Sequence, residues 1–164
     1  MLEVPNFHEY DLSNLNCLIV GGSNPPLELL KKFSEEFEAD VINGYGMTET
    51  CGLTSTALPS DPPELKAIAG LALPGVSLRV VNKNNEIVEN NTPGELLYKG
   101  PGLMKGYGNL PDGSSGINDD GWFPTGDLAT MNEEGYINIV GRAKEMIIRG
   151  GENLYPIEIE NYLL

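Results

Sequence analysis

The sequence has few of the residues that most often carry catalysis or bind metal. It contains one histidine, His8, and two cysteines, Cys17 and Cys51, which do not form a CxxC pair. Cys51 therefore has no evident base partner, which argues against a thiol hydrolase, and no cluster has the ligand spacing of a zinc site. So few cysteines also exclude a disulfide framework and predict a reducing, intracellular location.

Basic residues and long apolar runs are also scarce. Ten Lys and Arg stand against 24 Asp and Glu, which gives a formal net charge of -14. Nucleic acid is an unfavourable partner for such a chain, because binding to a phosphate backbone depends on clustered cations. No apolar run reaches membrane-spanning length, and the GxxxxGK[S/T] loop of P-loop NTPases is missing. A small site for ATP is still possible, since a few well-placed groups are enough to bind a nucleotide.

The sequence does contain short apolar runs that end in glycines. A strand is predicted at residues 17–20, then a glycine turn at Gly21 and Gly22, then a sheet-covering helix that starts near Pro25 and Pro26. A second strand at residues 41–42 runs into a further glycine turn at residues 44–46. This strand–helix–strand order is typical of parallel sheets, in which ligands bind where strands end.

Beyond the prolines at residues 59–63 the pattern becomes one of short strands and polar turns. Strands are predicted at residues 76–80, 95–99 and 136–140, which indicates a small β-rich, barrel-like subdomain. Residues 109–120 form a polar, glycine-rich stretch expected to be a mobile loop. A helix that starts at Pro156 is cut off by residue 164, so we expect the chain to be a fragment.

Three segments combine residue types that suit a nucleotide. In NGYGMTE at residues 43–49, glycine permits close backbone approach, Tyr45 offers a ring face, Thr48 can bond a phosphate oxygen and Glu49 can ligate Mg²⁺. In the second segment Asp127 could accept both hydroxyls of a ribose. The third, at residues 141–153, sets basic residues and paired glycines between a strand and a helix.

Each segment taken alone has a simpler explanation. The first can be a glycine-rich turn with a helix-capping threonine, and Asp127 can be a turn residue that satisfies its own backbone. The third can be a solvated linker with ordinary surface charges.

Taken jointly and in this order, the three segments resemble the signatures of the adenylate-forming, or AMP-binding, superfamily. They are YGMTE at 45–49, TGD at 125–127, and GR at 141–142 with RGGENLYPIEIE at 149–160. The resemblance extends from about Asp11 to Glu160, and the motif sequences are most similar to those of medium-chain or fatty acyl-CoA synthetases, including mitochondrial ones. It implies an α/β fold followed by a β fold, in three parts. Residues 1–66 would belong to the large α/β nucleotide-binding subdomain, 67–141 to a β-rich subdomain, and 142–164 to the hinge and the start of a C-terminal lid.

The resemblance also implies a role for individual residues. Adenine would lie between Gly22 and Ser23 on one side and Gly44 and Tyr45 on the other, while Thr48 contacts the α-phosphate and Glu49 holds Mg²⁺. The other residues that it assigns to ligands or to the hinge are Asn43, Gly46, Asp127 and Arg142 for the nucleotide, Lys144 for the hinge, and Gly150 and Gly151 for the coenzyme A tunnel. Many acyl-CoA synthetases have aspartate at the hinge position, where this chain has Lys144.

Two parts of the family pattern are missing from the sequence. There is no phosphate loop ending in Pro-Lys-Gly, and no C-terminal catalytic lysine of the lid. The parent protein is expected to be an acyl-CoA synthetase that uses ATP, Mg²⁺, coenzyme A and a small, fatty carboxylic acid, in mitochondria or cytoplasm, while this chain alone is expected to be inactive. The alternatives are a non-catalytic nucleotide-binding or scaffold relative, and an adenylating enzyme with a luciferase-like or carrier-loading second step.

Overall fold

The fold is described from a computed structural model. It describes residues 4–6, 9–22, 24–108, 116–149 and 152–156, together with Ile159 and Leu163. Most of the expected C-terminal helix, and residues 109–115 of the expected mobile loop, lie outside the described residues. Within the described part of the chain, no helix is long and apolar enough to cross a membrane.

The first sheet is built around a parallel strand pair. Strand β1 (Cys17–Gly21) pairs with β2 (Asp40–Met47), and helix α1 (Leu27–Phe37) connects them. Pro26 is the N-cap of α1, where its lack of a backbone N–H costs little. Leu30 and Val41 are both buried and line the contact between α1 and the sheet. The predicted strand–helix–strand unit is therefore confirmed.

Two antiparallel strands extend this sheet and make it mixed. A short 3-10 helix (Thr48–Thr50) leads into β3 (Gly52–Thr56), and after α2 (Pro63–Lys66) comes β4 (Leu71–Ala72). The strand order is β1-β2-β3-β4. The prediction of a glycine turn at residues 44–46 is wrong, because these residues belong to β2. Gly46 passes so close to β3 that a Cβ there would overlap the backbone of Gly52, so glycine serves strand packing here.

The second sheet is antiparallel and contains the main hydrophobic core. Its strands, in the order β5-β6-β7-β8, are β5 (Ser77–Val81), β6 (Gly94–Lys99), β7 (Phe123–Met131) and β8 (Ile137–Arg142). The buried core residues are Ala69, Val80, Leu96, Ala129 and Ile137. The expectation of an α/β part followed by a β part is thus confirmed, but the described strands form an open sheet and not a closed barrel.

The two sheets meet at Gly70, which forms an isolated antiparallel bridge with Ile137. The Ile137 N–H donates to the Gly70 carbonyl at 2.9 Å. After β8 the chain forms a hairpin of β9 (Ile147–Arg149) and β10 (Glu152–Leu154). The end of β2 and the end of β8 lie on the same side of the junction, where both line the cavity of the candidate site.

Candidate functional site

A cavity of about 230 Å³ lies at the junction of the two sheets. It is bounded by the loop after β1, by β2, by the middle of β7 and by the end of β8. Of the residues singled out from the sequence, those that line it are Gly22, Asn43, Gly44, Tyr45, Gly46, Asp127 and Arg142. Three segments that are distant in the sequence therefore meet around one space.

Asp127 is the charged centre of this cavity. Its side chain is only 6% exposed, and a buried carboxylate is costly unless it is paired. The Tyr45 hydroxyl donates to Asp127 Oδ2 at 2.6 Å, and Arg142 Nε lies 3.2 Å from Oδ1. The carboxylate is thus held from both sheets, although the Arg142 side chain is itself 65% exposed.

A bulge in β7 aims Asp127 into the cavity. The register between β6 and β7 shifts near Gly126, which has a φ of 76° that favours glycine. The Thr125 hydroxyl donates to the Leu96 carbonyl at 2.8 Å and accepts from the Asp127 N–H at 3.1 Å. Asp127 lies opposite Arg142 in the β7–β8 register, so it is a strand residue with a cross-strand partner and not a turn aspartate.

Tyr45 is held in its neutral form by its surroundings. Burial raises the pKa of the Tyr45 hydroxyl above its ordinary value, and the hydrogen bond to Asp127 raises that pKa further. In the folded chain Tyr45 consequently stays a hydrogen-bond donor to the carboxylate under ordinary conditions.

Stability should therefore fall at alkaline pH because of Tyr45. A folded-state pKa above the unfolded value of about 10 contributes stability below that pH, and this contribution is lost as the pH rises. Between pH 9 and pH 11 we expect wild type to lose about 1 kcal/mol more unfolding free energy than Tyr45→Phe. Urea denaturation at both pH values measures this difference, and parallel losses in the two proteins would contradict it.

Asn43 lines the cavity and has an unpaired side-chain oxygen. Its side chain is 2% exposed, and its amide nitrogen donates to the Ala67 carbonyl at 3.1 Å and to Asn24 Oδ1 at 3.3 Å. Its Oδ1 is buried with no hydrogen-bond partner. Buried acceptors are rarely left unsatisfied, so this oxygen points to a ligand that carries a donor.

Thr48 and Glu49 lie just beyond the cavity and do not line it. Thr48 is exposed at the start of the 3-10 helix. The loop before residue 109 holds Glu49: the Tyr107 hydroxyl donates to Glu49 Oε1 at 2.9 Å, and the Met104 N–H donates to the Glu49 carbonyl at 2.8 Å. The hydrogen bond to Glu49 raises the pKa of Tyr107.

The described residues contain no group of three or more His, Cys, Asp or Glu side chains placed to hold a metal. Mg²⁺ bound together with a nucleotide needs only one or two protein carboxylates, because phosphates and water supply the remaining ligands. Glu49 fits that more limited role, since its Oε2 has no partner within the described ranges.

The remaining predicted residues either do not line the cavity or lie outside the described part of the chain. Lys144 lies in an exposed turn after Arg142, in which the Glu145 N–H donates to the Arg142 carbonyl at 3.0 Å. Ser23, Gly150 and Gly151 lie outside the described residues. Their assignments to the adenine site and to the coenzyme A tunnel stay predictions.

Four further lining residues were given no site role from the sequence: Asn24, Ile139, Glu145 and Pro156. Glu145 and Pro156 do fall within the predicted segments 141–153 and 149–160, and Gly141, at the start of the first of these, also lines the cavity. Asn24 adjoins the predicted pair Gly22 and Ser23, and Glu145 follows Arg142 by one turn, so nearness in sequence is the signal available for these two. Ile139 could not be found in this way, because its place depends on how β8 packs.

A comparison with protein families fits this arrangement. The family model described as "AMP-binding enzyme" matches residues 1–108 of the chain. The chain belongs to the AMP-binding enzyme family. Relatives of this chain are acyl- or aryl-CoA ligases. It is 40% identical over 166 residues to the mitochondrial medium-chain acyl-CoA ligase ACSF2 of Macaca fascicularis, covering 99% of this chain and 27% of that protein.

A second relative is the indoleacetate–CoA ligase of Aromatoleum aromaticum. It is 39% identical over 163 residues, covering 99% of this chain and 32% of the ligase. The chain therefore spans less than a third of the length of either relative.

Solved structures of CoA ligases share the fold of this chain. The O-succinylbenzoate coenzyme A synthetase (MenE) of Bacillus subtilis, in complex with ATP and magnesium ion, matches with a TM-score of 0.82 and 36% identity, covering 91% of this chain and 31% of that one. The anthranilate CoA ligase AuaEII, in complex with anthranoyl-AMP, matches with a TM-score of 0.85 and 25% identity, covering 98% and 31%.

Proposed function

We propose that this chain forms part of the nucleotide site of an acyl-CoA synthetase. The whole enzyme would convert a carboxylic acid, ATP and coenzyme A into acyl-CoA, AMP and pyrophosphate through an acyl-adenylate. The observation that carries this proposal is the buried Asp127, which is held between Tyr45 and Arg142 in a cavity that also contains the unpaired Asn43 oxygen.

Adenine is the base that fits the wall of this cavity. Asn43 Oδ1 needs a hydrogen-bond donor, and the 6-amino group of adenine is such a donor. Gly22 has open space where a Cβ would lie, which leaves room for a flat ring system beside Tyr45, whose own ring offers a face for stacking. Gly44 lines the same wall through its backbone. Ser23 would complete the Gly22 side of this sandwich.

Ribose fits the carboxylate at the other end of the cavity. A carboxylate has about four acceptor positions, and Tyr45 and Arg142 use two of those on Asp127. The two remaining positions suit a vicinal diol, while Arg142 adds positive charge at the open side. Gly46 ends this wall, and the phosphates would extend from there toward Thr48.

The phosphates would then reach the 3-10 helix. Thr48 would contact the α-phosphate, and Glu49, held by Tyr107, would ligate the magnesium ion. The bound ion neutralises charge on the phosphates of ATP. The chain's own contribution is to orient the nucleotide so that its α-phosphate lies at the mouth of the cavity.

The remaining assignments follow from the family membership. Residues 1–66, 67–141 and 142–164 would be the α/β part, the β-rich part and the start of a lid that turns about Lys144 and brings Gly150 and Gly151 to coenzyme A. Without the other two thirds of the length of its relatives, the chain alone would bind nucleotide but not turn over. The mitochondrial medium-chain acyl-CoA ligase named above supports a fatty acid substrate and a mitochondrial location for the whole enzyme, with the cytoplasm as the alternative location.

Isothermal titration calorimetry with AMP, and with ATP in the presence and absence of Mg²⁺, tests this function. We expect wild type to bind AMP, and Mg²⁺ to strengthen ATP binding. Glu49→Gln should remove most of the Mg²⁺ effect while AMP binding is retained, because its amide is a poor Mg²⁺ ligand. Glu64→Gln, at an exposed position in α2, makes the same charge change and should behave as wild type. A folded wild-type chain that binds neither nucleotide would refute the proposal.

A further inference from the structure

Asn24 links the two sheets at the back of the cavity. Its amide nitrogen donates to the Ile139 carbonyl at 2.7 Å and to Asn138 Oδ1 at 3.3 Å, both on β8. Its oxygen accepts from the Asn43 amide nitrogen on β2 at 3.3 Å. A single partly buried side chain therefore connects the wall residue Asn43 to the opposite sheet.

The chemistry of the partners fixes which way both amides point. A backbone carbonyl can only accept, so the group that faces Ile139 O must be the NH₂ of Asn24, and its oxygen is then turned toward Asn43. In the same way, Ala67 O requires the NH₂ of Asn43. Both hydrogens of that NH₂ are thereby used, one by Ala67 and one by Asn24, and Oδ1 is the atom left over in the cavity wall.

We propose that Asn24 is a positioning residue that makes the cavity select an amino group over a carbonyl on the base. This inference rests on the proposed nucleotide function and adds base selectivity to it. With the amide of Asn43 locked, a 6-amino purine meets an acceptor, whereas a 6-oxo purine brings two oxygens together. Without Asn24, one of the two hydrogen bonds that fix the Asn43 amide is lost, and Asn43 can rotate to offer its NH₂.

The ratio of AMP affinity to IMP affinity measures this selectivity, and titration calorimetry gives both constants. We expect Asn24→Ala to lower the ratio about five-fold, as the loss of one neutral hydrogen bond would. Asn138→Ala is the matched control, because it removes a neighbouring amide contact of Asn24 and leaves the Asn24–Asn43 bond in place. Its ratio should stay within about two-fold of wild type.

A purely structural role of Asn24 would weaken both nucleotides equally, and an unchanged ratio in Asn24→Ala would overturn the inference. If that variant does not fold, Asn24→Leu keeps nearly the same side-chain shape but has neither donor nor acceptor, so the ratio should fall in the same way; an unchanged ratio there would overturn the inference too. Failure of wild type to bind AMP concerns the proposed function instead. In that event NMR hydrogen exchange can follow the side-chain amide protons of Asn43, which should still lose protection in Asn24→Ala. Unchanged protection would show that Asn24 does not fix the Asn43 amide.

Discussion

Replacing Asp127 by alanine is expected to weaken AMP binding by about 100-fold or more. Hydrogen bonds to a charged group contribute about 1.5–3 kcal/mol each, and the proposed ribose contact has two of them. The change also leaves the Tyr45 hydroxyl without the partner that it has at 2.6 Å in a half-buried position. We therefore expect a loss of about 1–3 kcal/mol in unfolding free energy as well.

Asp119→Ala is the matched control for this variant. Asp119 is exposed and lies outside the cavity, so its replacement changes the net charge by the same amount. Titration calorimetry with AMP should give wild-type affinity for Asp119→Ala, which separates a local effect from the general repulsion of an anion by an acidic chain. AMP affinity that is equal in Asp127→Ala and wild type would remove Asp127 from the ribose site.

Gly70→Ala should be the most destabilising exchange of one small residue for another in the described part of the chain. A Cβ at Gly70 would overlap the backbone of Thr56 and Ala57, and its φ of 77° is unfavourable for alanine. The Thr56 backbone is held by its pairing with Gly44 and Leu71, and Gly70 is held by its bridge to Ile137, so neither side can move apart without breaking strand pairing. We expect a loss of at least about 3 kcal/mol in the free energy of unfolding, measured by urea denaturation with circular dichroism.

Gly75→Ala is the control, because it introduces backbone strain without steric overlap between the new Cβ and its neighbours. Gly75 has a similar φ of 84°, but the nearest atoms to a Cβ there are those of Pro101 at 3.9 Å. This variant should lose only about 1 kcal/mol, the cost of the left-handed conformation. Similar losses in the two variants would show that close packing at Gly70 does not hold the junction.

The elements that could be predicted are those with apolar runs. β1 is predicted by its apolar residues, and α1 by the spacing of its apolar face after two prolines. β3 is not predictable in this way, because its buried centre consists of Thr54 and Ser55. Thr54 is satisfied by a hydrogen bond of 2.8 Å with Thr50, so it is buried through a local polar contact that no hydrophobic pattern records.

The candidate site could be predicted as a set of residues but not as a geometry. Motif resemblance indicated Tyr45, Asp127 and Arg142, yet the Tyr45–Asp127 hydrogen bond joins residues 82 positions apart on different sheets. Asn24 carries no motif, and its role depends on the register of β8. Such contacts follow from tertiary packing, which local propensity does not specify.

The junction of the sheets has a consequence for how the protein acquires its ligand. Tyr45 belongs to one sheet while Asp127 and Arg142 belong to the other, so neither sheet alone contains the complete nucleotide site that we propose. During refolding, added nucleotide should give no signal while the sheets are still separate, and should be captured only in the final docking step. The moment at which nucleotide binds would then report when folding is complete.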